Sequence, residues 1–388
     1  MKLLLYSHFF APSIGGVETL VLSLARGLSQ VRSANGEPQF EVTLITQTPA
    51  QGYDDRLLPF PVIRQPSRAQ LWNAICCTTV LHVAGAALLP IFFGRLARKP
   101  VVVEHHGFHT ICPNGQLLIE PAGTPCPGHF MAGHHKECLR CNSGSGWLES
   151  LRLWLFTFVR RVLCRGVACN IAPTEWLGRL IQLPRVIPIP HGFQDLLGPP
   201  VPAQAADPPF IAFIGRLVTT KGVATLIAAA GILRRAQKRF KVLIMGDGPE
   251  RAALETLVQA EQLGGLVNFT GRINADELRA ALAGVCIVVV PSLGGEVFGL
   301  VVAENMSRGI PVVASDLGAF VEVLGNTGLT FETGNAEALA VQLTRLLDDP
   351  ALRESLGRQA RQRAESFCDI HRMLAAHQRV YLAALGHT

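Results

Sequence analysis

The feature that most limits what this chain can fold into is an alternation. Short, nearly unbroken apolar runs recur along it, separated by segments of helical length. The runs are "KLLLYS", "EVTLITQ", "PVVVEHH", "ACNIAPT", "FIAFIGR", "KVLIMGDG", "LVNFTGR", "CIVVVPS" and "PVVAS". A strand covered on both faces is apolar throughout, so these runs predict buried parallel strands. Between them, "GVETLVLSLARGLSQ", "GVATLIAAAGILRRAQ", "RAALETLVQAEQL", "ADELRAALAG" and "GLVVAENMSRG" repeat apolar residues at helical spacing, with glycine stops. Strand and helix in alternation predict an α/β protein of doubly wound parallel sheets.

A chain of 388 residues exceeds what one core usually serves. The strongest break is "GPPVPAQAADPP", with five prolines and no apolar period, near the middle. The expected organisation is an N-terminal Rossmann-like domain over 1–197, a linker over 198–209 and a second Rossmann-like domain over 210–370. Ligands of such sheets sit beyond the carboxyl ends of the strands, so two facing sheets place the site in the cleft between them.

Composition closes off other classes. With 49% apolar and 16% charged residues the chain is globular, not disordered. A net charge of +6 without a basic stripe argues against nucleic acid and fits anionic small substrates or an anionic membrane surface. No run of 18 apolar residues spans a bilayer, and "MKLLLYSHFF" lacks a small-residue cleavage site, so it reads as a first strand. Six of the ten cysteines (Cys76, Cys77, Cys164, Cys169, Cys286, Cys368) are scattered through apolar segments. Reduced cysteine of this kind suggests a cytoplasmic protein.

The chemistry clusters at predicted strand ends. "SIGGVETL" sets Gly15 and Gly16 ahead of a helix whose N–H groups can face an anion. "FIGRLVTTKG" puts Arg216 and Lys221 in one loop, where a planar fork and a point charge can neutralise a diphosphate. In "LIMGDGPERAAL", Gly246 and Gly248 open a dinucleotide-like turn, but Arg251 replaces the third glycine, so a turn lining a nucleotide pocket is expected instead of an NAD site. "NFTGRI" adds Arg272. "GGEVFGLVVAE" places Glu296 in a loop, Phe298 and Gly299 at a helix start, and Glu304 inside the helix. A helix start favours an anionic or hydroxyl-rich ligand, and the two carboxylates can accept sugar and ribose hydroxyls.

Taken together, "FFAPSIGGVETLVLSLARGL", "VVVEHHG", "APTEWLG", "VIPIPHGF", "GRLVTTKGVATLI", "IMGDGPE", "NFTGRI" and the E-x7-E pair resemble the retaining GT-B glycosyltransferases of family 4. The resemblance runs through nearly the whole chain, including "GIPVVASDLGAFVEVL" and the last helix. It implies a GT-B fold: two facing Rossmann-like domains with a cleft, and a C-terminal helix over 371–388 crossing back to the N-terminal domain. It also implies transfer of a sugar from a nucleoside diphosphate donor to a glycan, lipid-linked or small-molecule acceptor hydroxyl, in polysaccharide, glycolipid or glycoconjugate biosynthesis. In that frame Arg216 and Lys221 bind the diphosphate and Glu304 the ribose. Glu296, with the backbone at Phe298 and Gly299, holds the donor sugar. Gly16 approaches the phosphates, and His106 of "EHHG" stands near the reacting centre, with His105 the alternative register. Cations replace a catalytic metal, for which no Asp-x-Asp motif is seen. An epimerase or phosphorylase of the same fold and a non-catalytic nucleotide-sugar binder are the rival readings.

Two segments stand apart. Over about 108–146, Cys112, Cys126, Cys138 and Cys141 follow the spacing C-x13-C-x11-C-x2-C in a Gly- and Pro-rich insert. Four thiols there suit structural zinc, with His129, His134 or His135 as substitutes; reduced thiols, an iron–sulfur cluster and disulfides are the alternatives. "WLESLRLWLFTFVRRVLCR" mixes apolar residues with Arg152, Arg160, Arg161 and Arg165. It reads either as a core helix with a solvated arginine edge or as an interfacial helix, which would place the protein peripherally on the cytoplasmic membrane face.

Overall fold

The structure, a computed structural model, describes residues 1–386 except 14, 34, 121, 143, 145 and 194–206. Most of the expected linker therefore lies outside the described residues. The chain divides into two compact units.

The first unit comprises Met1–Gly115, Gly128–Gln194 and Asp369–Thr388. Its strands are β1 (Lys2–Ser7), β2 (Glu41–Thr46), β3 (Val62–Arg64), β4 (Val80–Ala84), β5 (Val101–Glu104), β8 (Cys169–Ala172) and β9 (Val186–Pro188). They form one parallel sheet in the order β3-β2-β1-β4-β5-β8-β9. Helices α1 (Gly16–Gln30), α2 (Arg68–Cys77), α3 (Leu88–Leu96), α4 (His135–Cys141), α5 (Trp147–Arg165) and α6 (Glu175–Ile181) intervene, and α14 (Ile370–Leu385) completes the unit. Ser67 and Gln70 form a reciprocal capping box that starts α2. The core joins Leu3, Leu5, Leu24, Leu28, Phe40 and Val102 with Met373 and Tyr381 of α14.

The second unit comprises Gln116–Pro127 and Asp195–Cys368. A two-residue ladder pairs β6 (Leu118–Ile119) with β7 (Thr124–Pro125). The main sheet holds β10 (Phe210–Ile214), β11 (Lys241–Met245), β12 (Val267–Gly271), β13 (Val285–Val290), β14 (Val312–Ser315) and β15 (Leu329–Phe331), parallel in the order β12-β11-β10-β13-β14-β15. Its helices are α7 (Val223–Arg235), α8 (Arg251–Ala260), α9 (Ala275–Leu282), α10 (Leu300–Ser307), α11 (Gly318–Leu324), α12 (Ala336–Asp348) and α13 (Pro350–Phe367). β13 is buried at every position, as its unbroken apolar run requires.

Two expectations need correction. Gln116–Pro127, placed by sequence within the first domain's insert, packs with the second unit. The backbone explains it: the Gly295 N–H donates to the Gln116 carbonyl at 2.6 Å, and a Cβ on Gly294 would lie 2.8 Å from the same oxygen. The arginines of α5 do not form one solvated edge. Arg161 is buried and donates to the carbonyls of Thr110 (3.1 Å) and Ile181 (3.0 Å), while Arg160 Nε donates to the Ala86 carbonyl at 3.2 Å.

Candidate active site

In the second unit the carboxyl ends of adjacent strands are laced together through their backbones. The Gly215 N–H donates to Met245 O, Leu217 N–H to Asp247 O and Gly246 N–H to Gly271 O, at 2.9–3.0 Å. The close approach demands glycine. A Cβ on Gly246, which has φ +140, would sit 1.9 Å from Gly215 O. Arg216 and Arg272 leave the ends of β10 and β12 exposed, and neither is ion-paired among the described residues.

A 3-10 turn over Thr219–Lys221 stops at Gly222, whose φ is +63 and whose missing Cβ makes room for Pro291 O. The Leu293 N–H then donates to Thr220 O at 2.8 Å, which clamps this turn to the loop after β13. Lys221 Nζ reaches Glu296 Oε1 at 2.5 Å, and Ser292 Oγ donates to the same oxygen at 3.2 Å. Ser292 is held in turn by the Ser315 hydroxyl, which donates to its carbonyl at 2.6 Å. Glu296 and Lys221, assigned separately to sugar and diphosphate by sequence, thus form one pair in this structure.

The same loop ends at Gly299 in the left-handed region (φ +94), where a Cβ would meet the Phe320 ring at 2.6 Å. Phe298 is buried and stacks on Phe367, with centroids 6.2 Å apart. Glu304 is the fifth residue of α10, and burial raises its pKa against the opposing pull of Arg308. The first-turn N–H groups of α10 have no acceptor one turn back, so this end carries a partial positive charge. Sequence reasoning missed the strap Gln116–Pro127, which bonds directly to the loop carrying Glu296; its only signal was lack of apolar period.

The first unit carries the remaining candidates. Gly16 opens α1, with Gly15 before it extended (φ −173). Glu104 ends β5 almost fully buried, and His82, His106, His191 and His377 all turn a ring nitrogen toward its carboxylate. His105 faces elsewhere. Its Nε2 lies 2.9 Å from Asn170 Oδ1, and Asn170 Nδ2 donates to the carbonyls of Cys164 and Pro184. Those two carbonyls fix the amide orientation, so His105 Nε2 carries the proton. Burial lowers the pKa of His105 to about 4, and it lowers that of His106 as well. In the insert, the Cys112 thiol donates to Asn114 Oδ1 at 2.9 Å, and Asn114 Nδ2 lies 3.7 Å from Cys141 Sγ. Cys112, Cys138 and Cys141 belong to this unit and Cys126 to the other. Among the described residues the three sulfurs do not gather within 4.8 Å of one another.

Comparison with known proteins bears on the family and the fold. The family model for glycosyl transferases group 1 matches residues 199–363. Phosphatidyl-myo-inositol mannosyltransferase of Mycobacterium leprae is 30% identical over 281 residues, covering 70% of this chain and 72% of that protein. Glycogen synthase of Mycobacterium tuberculosis is 34% identical over 179 residues, 46% of this chain; the match spans 43% of that enzyme, less than half its length. Among solved structures, sucrose-phosphate synthase from Thermosynechococcus elongatus superposes with a TM-score of 0.72 at 21% identity, covering 100% of both chains. Anabaena HepE in complex with UDP gives 0.73 at 18% identity, covering 99% of this chain and 100% of that one. These likenesses show the GT-B fold. With two parallel sheets, the matched family model and a relative aligned over most of its length, the chain belongs to the group 1 glycosyltransferases.

Proposed function

We propose that this protein transfers a sugar from a nucleoside diphosphate sugar to an acceptor hydroxyl with retention of anomeric configuration. The observation that carries the reading is the Lys221–Glu296 pair, clamped at 2.5 Å between two strand-end loops, the first of which also exposes Arg216. Departure of the diphosphate concentrates negative charge on its oxygens. Preorganised cations stabilise that charge most where it develops, so Arg216 and Lys221 act on the transition state. Glu296, held by Ser292 and Lys221, keeps its second oxygen for donor sugar hydroxyls. Glu304, partly desolvated on α10, accepts from the ribose diol, with the Gly299 helix start near the diphosphate. Gly246 and Arg272 line the nucleotide side.

Retention by double displacement needs a carboxylate free to attack. Glu296 is committed to Lys221 and Glu304 to the ribose, which favours same-face attack with the departing phosphate oxygen taking the acceptor proton. His106 is proposed to orient or polarise the donor sugar, as the family resemblance implies, without a proton-transfer role. HepE has been solved with UDP-glucose, which makes that donor the first to try. Nucleoside diphosphate release that needs an acceptor, with a product of unchanged anomeric configuration by NMR, is the expected result. Donor turnover without acceptor would favour an epimerase, a need for phosphate a phosphorylase, and binding without release a non-catalytic binder.

The acceptor side is proposed to lie at an anionic membrane. Helix α5 buries Ser150, Thr157, Arg161 and Cys164 but exposes Trp147, Leu148, Leu155 and Val162, the reverse of a core helix. It packs on α3, which exposes Phe92 and Leu96 beside Arg95 and Arg98. Apolar side chains ringed by arginines suit the headgroup boundary. No helix among the described residues is long and apolar enough to cross a membrane. Structural zinc on the insert cysteines stays a proposal; Cys112 and Cys141 both contact Asn114, which is what supports it.

A further inference from the structure

The end of the first unit's sheet away from Glu104 and His106 carries a cavity of its own. Its walls include the residues just before β5, β8 and β9 and the last turns of α3 and α14, so it lies at the amino ends of parallel strands. β5 separates it from Glu104, and that strand's four residues span roughly 10 Å from first to last. The volume is ≈ 380 Å³, within the roughly 300–1,000 Å³ usual for small-ligand sites. Pro100, Val101, Val167 and Ala168 supply apolar wall, while Arg95, Arg98, Lys99 and Arg185 supply positive charge. No carboxylate lines it, and none of these cations belongs to an ion pair among the described residues.

Helix ends account for part of this charge. Helices α2, α3, α5 and α14 all end here, and each C-terminus brings about half a negative charge. Lys99 Nζ donates at 2.8 Å to the carbonyl of Thr78, which caps α2. Arg185 donates from Nε and Nη2 to Val167 O and from Nη2 to Arg165 O, the last residue of α5, at 2.6–3.1 Å. Arg95 and Arg98 differ: both are exposed, and neither guanidinium bonds a carbonyl or carboxylate among the described residues. Four cations against four helix ends leave a surplus of roughly +2, and it falls on the two arginines that no protein group engages.

Both arginines are nonetheless placed. The Lys99 N–H donates to Gly94 O at 2.9 Å and the Arg98 N–H to Arg95 O at 3.0 Å, a Schellman closure of α3 that leaves Arg98 at φ +52. That position usually takes glycine, so the arginine is kept against a backbone preference. Arg95 lies along the backbone of Gly166, where a Cβ would come within 2.5 Å of its Cζ. We propose that this cavity binds a phosphate ester, with the Arg95 and Arg98 forks on the phosphate and the apolar wall against the organic part. Planar guanidinium forks match phosphate oxygens in pairs. A soluble ester and a lipid headgroup share that chemistry, since α3 also exposes Phe92 and Leu96. The site stands without the donor reading above, because its residues lie at the other end of the sheet from Gly16, Glu104 and His106.

The test is calorimetric titration of glycerol 3-phosphate into the Arg216→Ala/Lys221→Ala chain, which lacks the proposed donor contacts. The same chain is then examined with Arg95→Gln/Arg98→Gln or with Gly166→Ala. Gly166 has φ −100, so alanine suits its backbone, keeps every charge and displaces only the Arg95 guanidinium. We expect about one site per chain, weakened at least roughly tenfold by the arginine changes and severalfold by Gly166→Ala. A parallel arm floats the three proteins with phosphatidylglycerol vesicles. Soluble binding that follows both variants supports a soluble ester; flotation that falls with both variants, without soluble binding, supports a headgroup phosphate. Soluble binding that the arginine changes leave intact, flotation lost with the arginines but kept by Gly166→Ala, or no binding of either probe overturns the proposal.

Discussion

Replacing Lys221 by alanine separates two roles that the geometry assigns to one ammonium. In the free protein it pairs with Glu296 Oε1 at 2.5 Å, with side chains 25% and 14% exposed. At an effective dielectric constant near 20 the gross attraction at that distance is roughly 7 kcal/mol. Desolvation, side-chain entropy and partial exposure offset most of it, leaving about 1 kcal/mol of net stability. For a domain of this size that is a fall in Tm of about 2–4 °C. Turnover should respond differently. Loss of one preorganised charge at a developing anion costs about 3–4 kcal/mol, or roughly 10²–10³-fold in kcat. Adding Glu296→Gln neutralises the carboxylate left behind, so it should restore the Tm without restoring turnover. The assay is nucleoside diphosphate release alongside thermal denaturation of the wild type, Lys221→Ala and the double variant. If Glu296→Gln recovers turnover as well as stability, Lys221 serves only to neutralise Glu296 and the argument for a leaving-group contact fails.

Gly222→Ala should be severe, because φ is +63 and Pro291 O occupies the space of the new Cβ; a loss of more than about 2 kcal/mol in denaturant unfolding is expected. Glu304→Gln should raise stability while weakening donor binding. Burial lifts the Glu304 pKa above its unfolded value of 4.5, so stability is complete below that value and is lost as pH rises through the folded pKa. The gain in Tm should therefore appear at pH 8 and vanish near pH 4; an equal gain at both would contradict the assignment. Asn170→Leu leaves His105 Nε2 and the carbonyls of Cys164 and Pro184 without partners, and a cost of about 3 kcal/mol is expected. Phe92→Glu together with Leu148→Glu should abolish flotation with anionic vesicles; unchanged flotation would remove the membrane face.

The sheets were legible because a parallel strand buried on both faces cannot hide its apolar run; β1, β10, β11 and β13 stand out for that reason. β4 did not, because "VLHVA" sits between the apolar residues of α2 and α3 and includes a polar ring. His82 on that strand is one of the four that surround Glu104, so the cluster was invisible from sequence. Its members come from β4, β5, the loop after β9 and α14, and no local spacing records their meeting. The E-x7-E pair was correctly divided between loop and helix, but its link to Lys221 depends on a left-handed glycine meeting a distant carbonyl. The strap Gln116–Pro127 looked like part of a cysteine-rich insert because its partner is backbone, which leaves no side-chain signature.

The central claim is that the strand-end loops of the second unit hold a nucleoside diphosphate. Calorimetric titration of UDP, GDP and ADP into wild type and into Arg216→Ala/Lys221→Ala tests it most directly. The account predicts that one nucleotide binds at about one site per chain and that the double variant weakens it at least roughly tenfold, since two charge-assisted contacts are removed. Binding that the double variant leaves unchanged, or no binding of any of the three, would contradict it.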